Sequence, residues 1–63
     1  MEYRIKELRE KRRWSQDELA KRAGVARTNI IRLENDKDVV TTTDTLQKIA
    51  DAFGVSIKYL FLP

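Results

Sequence analysis

Cysteine and histidine are both missing from this 63-residue chain. Without cysteine there is neither a disulfide staple nor a thiolate metal site. Without histidine the commonest general base and the commonest metal ligand are gone. Apolar runs extend only a few residues, far short of the roughly 20 that a membrane-spanning helix requires. The opening stretch MEYRIKEL lacks the apolar centre of a signal peptide. The acidic pairs Asp17/Glu18 and Asp36/Asp38 have no nucleophile–base set or glycine-rich loop beside them and read as solvated caps and turns. These absences predict a cytoplasmic protein, away from the membrane, with no metal, cofactor or small-molecule ligand and no enzymatic chemistry.

Glycine and proline are scarce too: Gly24, Gly54 and Pro63 are all there is. Between these punctuators the apolar residues recur at helical spacing, which predicts an all-α fold with no strand and a single domain over residues 1–63. A chain this short buries only about 60% of its unfolded surface, so it depends on close packing or on a partner. Charge is distributed unevenly. Residues 1–34 hold ten Lys/Arg against six Asp/Glu, a balance of +4, whereas residues 35–63 hold three against four, a balance of −1, giving the net +3. The basic half is the half suited to a polyanion, although a salt-bridge-laced surface would have the same composition.

Five helices are expected. The first spans about residues 2–12, with Ile5 and Leu8 on its inner face. The second spans about 15–23. Ser15 with Glu18 three residues on has the capping-box spacing, Trp14 and Leu19 have that of a hydrophobic staple, and Gly24 suits the left-handed residue that ends a helix. The third spans about 27–35. At about 100° per residue its buried face carries Ile30 and Leu33, while Thr28, Arg32, Ile31 and, at the edge, Arg27 face outward. The fourth follows a cap at Thr41 or Thr42, carries Leu46, Ile49, Ala50 and Phe53 inward, and stops at Gly54. Ser56 starts a short fifth helix with Ile57, Leu60 and Phe61 as its apolar set. The loop 36–40 fits no pattern.

Two helices joined by a short glycine-containing turn form the helix-turn-helix arrangement, in which small residues such as Ala20, Ala23 and Gly24 permit close approach. The segment SQDELAKRAGVARTNIIRLEND, Ser15 to Asp36, resembles the helix-turn-helix of the Cro/C1-type phage repressor family, also called the xenobiotic-response-element family. The flanking IKELREKRRWSQ and TLQKIADAFGVSIKYLF resemble that family's first and last helices. The resemblance implies a compact five-helix, lambda-repressor-like domain that binds a palindromic double-stranded DNA operator as a homodimer and represses transcription.

It also implies roles for individual residues. Arg27, Thr28 and Arg32 occupy base-reading positions, Ile31 either touches a thymine methyl or packs over the helix edge, and Gln16, Asn29, Asn35 and Lys37 occupy phosphate-contacting ones. Arg9 and Glu34 match a buried salt bridge between the first and third helices. Ile57, Tyr59, Phe61 and Leu62 are assigned to the dimer interface. Three positions depart from the pattern: Arg13 and Asp36 stand where the family often has glycine, and Ile31 is apolar on the outward face. An alternative role for such a domain is the antitoxin of a toxin–antitoxin pair, whose main partner would be a protein.

Overall fold

A computed structural model describes residues 3–35 and 41–61. Four α-helices and one 3-10 turn follow in order: α1 (Ile5–Lys11), α2 (Gln16–Ala23), α3 (Arg27–Asn35), α4 (Thr43–Phe53) and the 3-10 turn Ile57–Leu60. The element expected as a fifth helix is therefore a single tight turn. It is too short for an α-helical ladder, and its Ser56 side chain makes no capping hydrogen bond. The first helix also begins later than residue 2. Tyr3 is extended and pairs with Phe61 in an isolated antiparallel bridge, and the Arg4 amide donates to the Leu60 carbonyl at 2.6 Å. Backbone groups that would have begun α1 thus tie the start of the described chain to its end.

The caps follow from residue chemistry. The Ser15 hydroxyl accepts from the Glu18 amide at 3.0 Å, and the Thr42 hydroxyl accepts from the Thr45 amide at 3.1 Å, each satisfying an amide donor left open in a first turn. The reciprocal half of the capping box is not built. Glu18 instead accepts from Arg22 Nε at 2.7 Å, one turn along. Gly24 (φ 71°) and Gly54 (φ 73°) end α2 and α4 in the left-handed conformation. The next amides, Val25 and Val55, reach back to the Ala20 and Ala50 carbonyls at 3.1 and 3.0 Å, the wrap of a Schellman ending. Arg13 holds the same left-handed region at φ 58°, where a side chain costs about 1–2 kcal/mol relative to glycine.

One core unites these elements: Ile5, Leu8, Leu19, Ala20, Ala23, Ile30, Leu33, Leu46, Ile49, Ala50, Phe53 and Leu60 are all buried. It contains the inward positions expected in α1 to α4, while of the apolar set expected after Ser56 only Leu60 is fully buried and Ile57 and Phe61 pack partly buried against it. α2 packs against both α3 and α4, α1 against α3, and the 3-10 turn against α4. An aromatic seam closes the α1–α2 corner onto the end of α4. Trp14 stacks on Phe53 with ring centroids 5.5 Å apart and planes 9° apart, and the Arg22 guanidinium carbon lies 4.5 Å from the Trp14 centroid on the α2 side. Arg12 donates from Nη2 to the Phe53 carbonyl at 2.6 Å while lying 5.0 Å from the Phe53 ring centroid. The last turn of α4 has no basic residue of its own, so Arg12 supplies the positive charge that its carbonyl end favours.

Candidate nucleic-acid interface

The turn Gly24-Val25-Ala26 joins α2 to α3. Its tightness rests on Gly24, since the carbonyl-to-amide wrap requires positive φ there. Ala20 and Ala23 are buried at the contact of the two helices, and their small side chains allow close approach. The consequence is that the first turn of α2 stands beside one edge of α3.

That edge is held at two points. Positions 27 and 34 are seven residues apart, which places them on the same side of a helix to within about 20°. At the far end, Glu34 accepts from Arg9 in a fork, Nε to Oε2 at 2.8 Å and Nη2 to Oε1 at 3.1 Å. The pair is shielded, with side-chain exposures of 13% for Arg9 and 2% for Glu34. Gln16 donates its side-chain amide to the same Oε1 at 3.2 Å, and the remaining arm of Arg9 donates to the Trp14 carbonyl at 2.8 Å. One carboxylate therefore joins α1, α2 and α3. The hydrogen bond to Glu34 raises the Arg9 pKa above its ordinary value, outweighing the desolvation that acts the other way. At the near end, Arg27 Nε lies 3.2 Å from Asp17 Oδ1.

The outward face of α3 is polar. Arg27, Thr28, Arg32 and Asn35 are exposed, Asn29 and Ile31 are half-buried, and Ile30 and Leu33 point into the core. Gln16 is half-buried at the start of α2. The structure thus brings Gln16, Arg9 and Glu34 into one network, sets Arg27 beside Asp17, and leaves Thr28 and Arg32 open on the outer surface. The half-buried Ile31 sits at the border between core and surface rather than wholly outside. Lys37 and Asp36 lie outside the described residues, as does Leu62.

In the C-terminal segment, Ile57 and Phe61 are half-buried against the protein's own core. Phe61 meets Tyr3 at a centroid distance of 5.3 Å. Tyr59 is 45% exposed, with the Arg4 guanidinium 5.1 Å from its ring centroid. Among the described residues no three acidic side chains gather as metal ligands would, and no helix is long and apolar enough to cross a membrane.

Contacts not foreseen from the sequence include the Asp17–Arg27 pair and the Arg12 cap on α4. Both join residues of different elements, and no spacing rule within one helix relates residue 17 to 27 or 12 to 53. Asp17 has Lys21, of opposite charge, four residues on, so its local spacing pointed to a pair within α2 instead.

Residues 3–62 match a family described as a helix-turn-helix domain. The chain belongs to the helix-turn-helix family. A relative from Archaeoglobus fulgidus, named as an uncharacterized HTH-type transcriptional regulator, is 42% identical over 62 residues, covering 98% of this chain and 86% of its own length. No solved structure matches the chain significantly. Within the helix-turn-helix frame, α2 and α3 are the two helices joined by the turn Gly24-Val25-Ala26.

Proposed function

We propose that this chain is a DNA-binding transcriptional regulator that acts as a repressor in the cytoplasm, occupying a palindromic operator as a homodimer. The observation that carries the reading is the exposed outer face of α3. Arg27, Thr28 and Arg32 project from a helix only nine residues long, about 13 Å, which is anchored on its opposite side by Ile30 and Leu33 and at its edge by the Arg9–Glu34–Gln16 network. A rigid helix with a polar, positive outer face is what the major groove admits.

The division of labour follows from chemistry. Arg27 and Arg32 offer bidentate guanidinium forks for guanine O6 and N7, and Thr28 offers a hydroxyl and a methyl. Gln16 and Asn29 hold phosphates and fix the register, as Asn35 and Lys37 do beyond the end of the readout face. The Archaeoglobus relative, named as a transcriptional regulator, supports the same role. Because the proposal is one of symmetric operator binding, selection of bound sequences from a random duplex pool tests it. A palindromic consensus with half-sites one helical turn apart is expected. Recovery of no consensus, with affinity governed by salt alone, would overturn it.

A further inference from the structure

We propose that Asp17 is a positioning residue for sequence readout: it holds Arg27 at Nε and so presents the guanidinium end-on to a base. The proposal rests on the reading of Arg27 as a base-contacting residue and concerns what sets its selectivity.

The observations are these. Asp17 is the second residue of α2 and Arg27 the first of α3, so the pair spans the helix-turn-helix turn. Arg27 Nε lies 3.2 Å from Asp17 Oδ1. Both side chains are more than half exposed, at 59% and 64%, so the contact stands at the surface α3 shares with its ligand and not in the core. Arginine grips a guanine edge through one of two parallel donor pairs, either Nε with one terminal nitrogen or the two terminal nitrogens together. A carboxylate 3.2 Å from Nε stands against the first pair as an ion pair and leaves the second clear.

A negative charge at a surface meant for a polyanion is otherwise unfavourable. Asp17 adds repulsion toward every phosphate within a Debye length, about 8–10 Å at ordinary salt. A carboxylate that weakens all binding while orienting one base-reading side chain exchanges affinity for discrimination. Its partner at the other end of α3, Glu34, braces the helix itself; Asp17 braces the side chain that leaves it. Exposed pairs of this kind are weak in water, but the same pair strengthens as bases and sugar exclude solvent around it.

This separates positioning from mere surface charge. With Asp17→Ala, affinity for arbitrary duplex DNA rises, because a repulsive charge is gone. Discrimination between the selected operator and the variant altered at the base pair read by Arg27 falls about two- to fivefold, the worth of an exposed pair. Asp17→Asn, which keeps an acceptor oxygen on Nε without the charge, restores part of that discrimination while retaining the gain on arbitrary DNA. Adding Asp17→Ala to Arg27→Ala leaves discrimination at that base pair unchanged, since the side chain to be oriented is gone.

Fluorescence anisotropy on a panel of operator variants, with circular dichroism to verify folding, measures all of these at once. If Asp17→Ala strengthens binding to every duplex by one factor while Arg27→Ala alone changes preference at one base pair, Asp17 is only a surface charge and the proposal falls. If Arg27→Ala itself weakens all duplexes equally, the reading of Arg27 has failed and the proposal falls with it.

Discussion

Removal of the Glu34 carboxylate would strand donors from two other helices at once. Arg9 uses both arms of its fork on Glu34, and Gln16 shares one of the same oxygens. The Glu34 side chain is 2% exposed, so water cannot readily take its place. Glu34→Ala leaves a shielded guanidinium uncompensated, a change that costs roughly 3 kcal/mol or more. For a chain of this size that lowers the melting temperature by more than about 10 °C. Replacing Arg9 and Glu34 together by Met and Leu removes both charges and is much milder. Thermal denaturation of the three variants checks this; a Glu34→Ala protein that melts within a few degrees of the parent would contradict it. The pair is not a switch on its arginine side. A raised pKa contributes stability that is fully present below the guanidinium's ordinary value and is lost only as pH climbs through the still higher folded value.

The proposed DNA contacts separate into two kinds by what their loss should do to binding. Arg27→Ala or Arg32→Ala should weaken binding to the best operator by about 1–3 kcal/mol and relax preference at one base pair per half-site. Gln16→Ala should weaken binding on every sequence by a similar factor. Since Gln16 is neutral, the dependence of affinity on salt stays nearly as it was. Titration of operator variants at several salt concentrations distinguishes the two. Uniform loss from both arginine variants would reassign them to phosphate.

At the scale of elements, α4 depends on a residue from outside itself. Arg12 donates to the Phe53 carbonyl, lies over the Phe53 ring and borders Trp14 at 5.5 Å from its centroid. Arg12→Ala removes a charged cap and two aromatic contacts, each worth about 0.5–1 kcal/mol at exposed sites. A loss of about 1–2 kcal/mol in urea denaturation is expected, against near-neutral behaviour for Lys11→Ala on the exposed side of the same turn.

What was legible in the sequence, and what was not, divides along the same line. The interiors of α1 to α4 follow from apolar residues three and four apart, and their ends from Ser15, Thr42, Gly24 and Gly54. These are local rules, and they hold because each acts within one turn of chain. The start of α1 was misplaced because Tyr3 pairs with Phe61, across nearly the whole sequence. The 3-10 turn was read as a helix because Ile57 and Leu60, three apart, suit either geometry. The capping box was half right because Arg22 competes for Glu18. In the site, the outward set on α3 was readable from the wheel. Asp17 as the partner of Arg27 was not, because the turn that brings them together has a geometry no spacing reports.

At the scale of the whole molecule, the question is what covers the exposed surface of the C-terminal segment. The C-terminal segment was expected to be the interface between two copies through Ile57, Tyr59, Phe61 and Leu62. Ile57 and Phe61 prove to be half-buried against the chain's own core, so much of that apolar area already serves the monomer. Tyr59 does not: it is 45% exposed and is the one large hydrophobic side chain so placed among the described residues. A twofold contact centred there would set Tyr59 near its own copy, since an isologous interface repeats one patch. Binding to a palindromic operator requires the two α3 helices of such a pair to lie about 34 Å apart, one turn of duplex. The proposed homodimer therefore depends on Tyr59 more than on its neighbours. Tyr59→Ala is expected to leave the melting behaviour of dilute protein nearly unchanged, because the side chain contributes little to the monomer core. It should weaken self-association and binding to a full operator by about tenfold or more, the loss of one central aromatic anchor, while binding to a single half-site stays as in the parent. Sedimentation velocity across a concentration series, with and without full-length and half-site duplexes, reads each of these. A parent protein that saturates a full operator as one chain per duplex would contradict the homodimer outright.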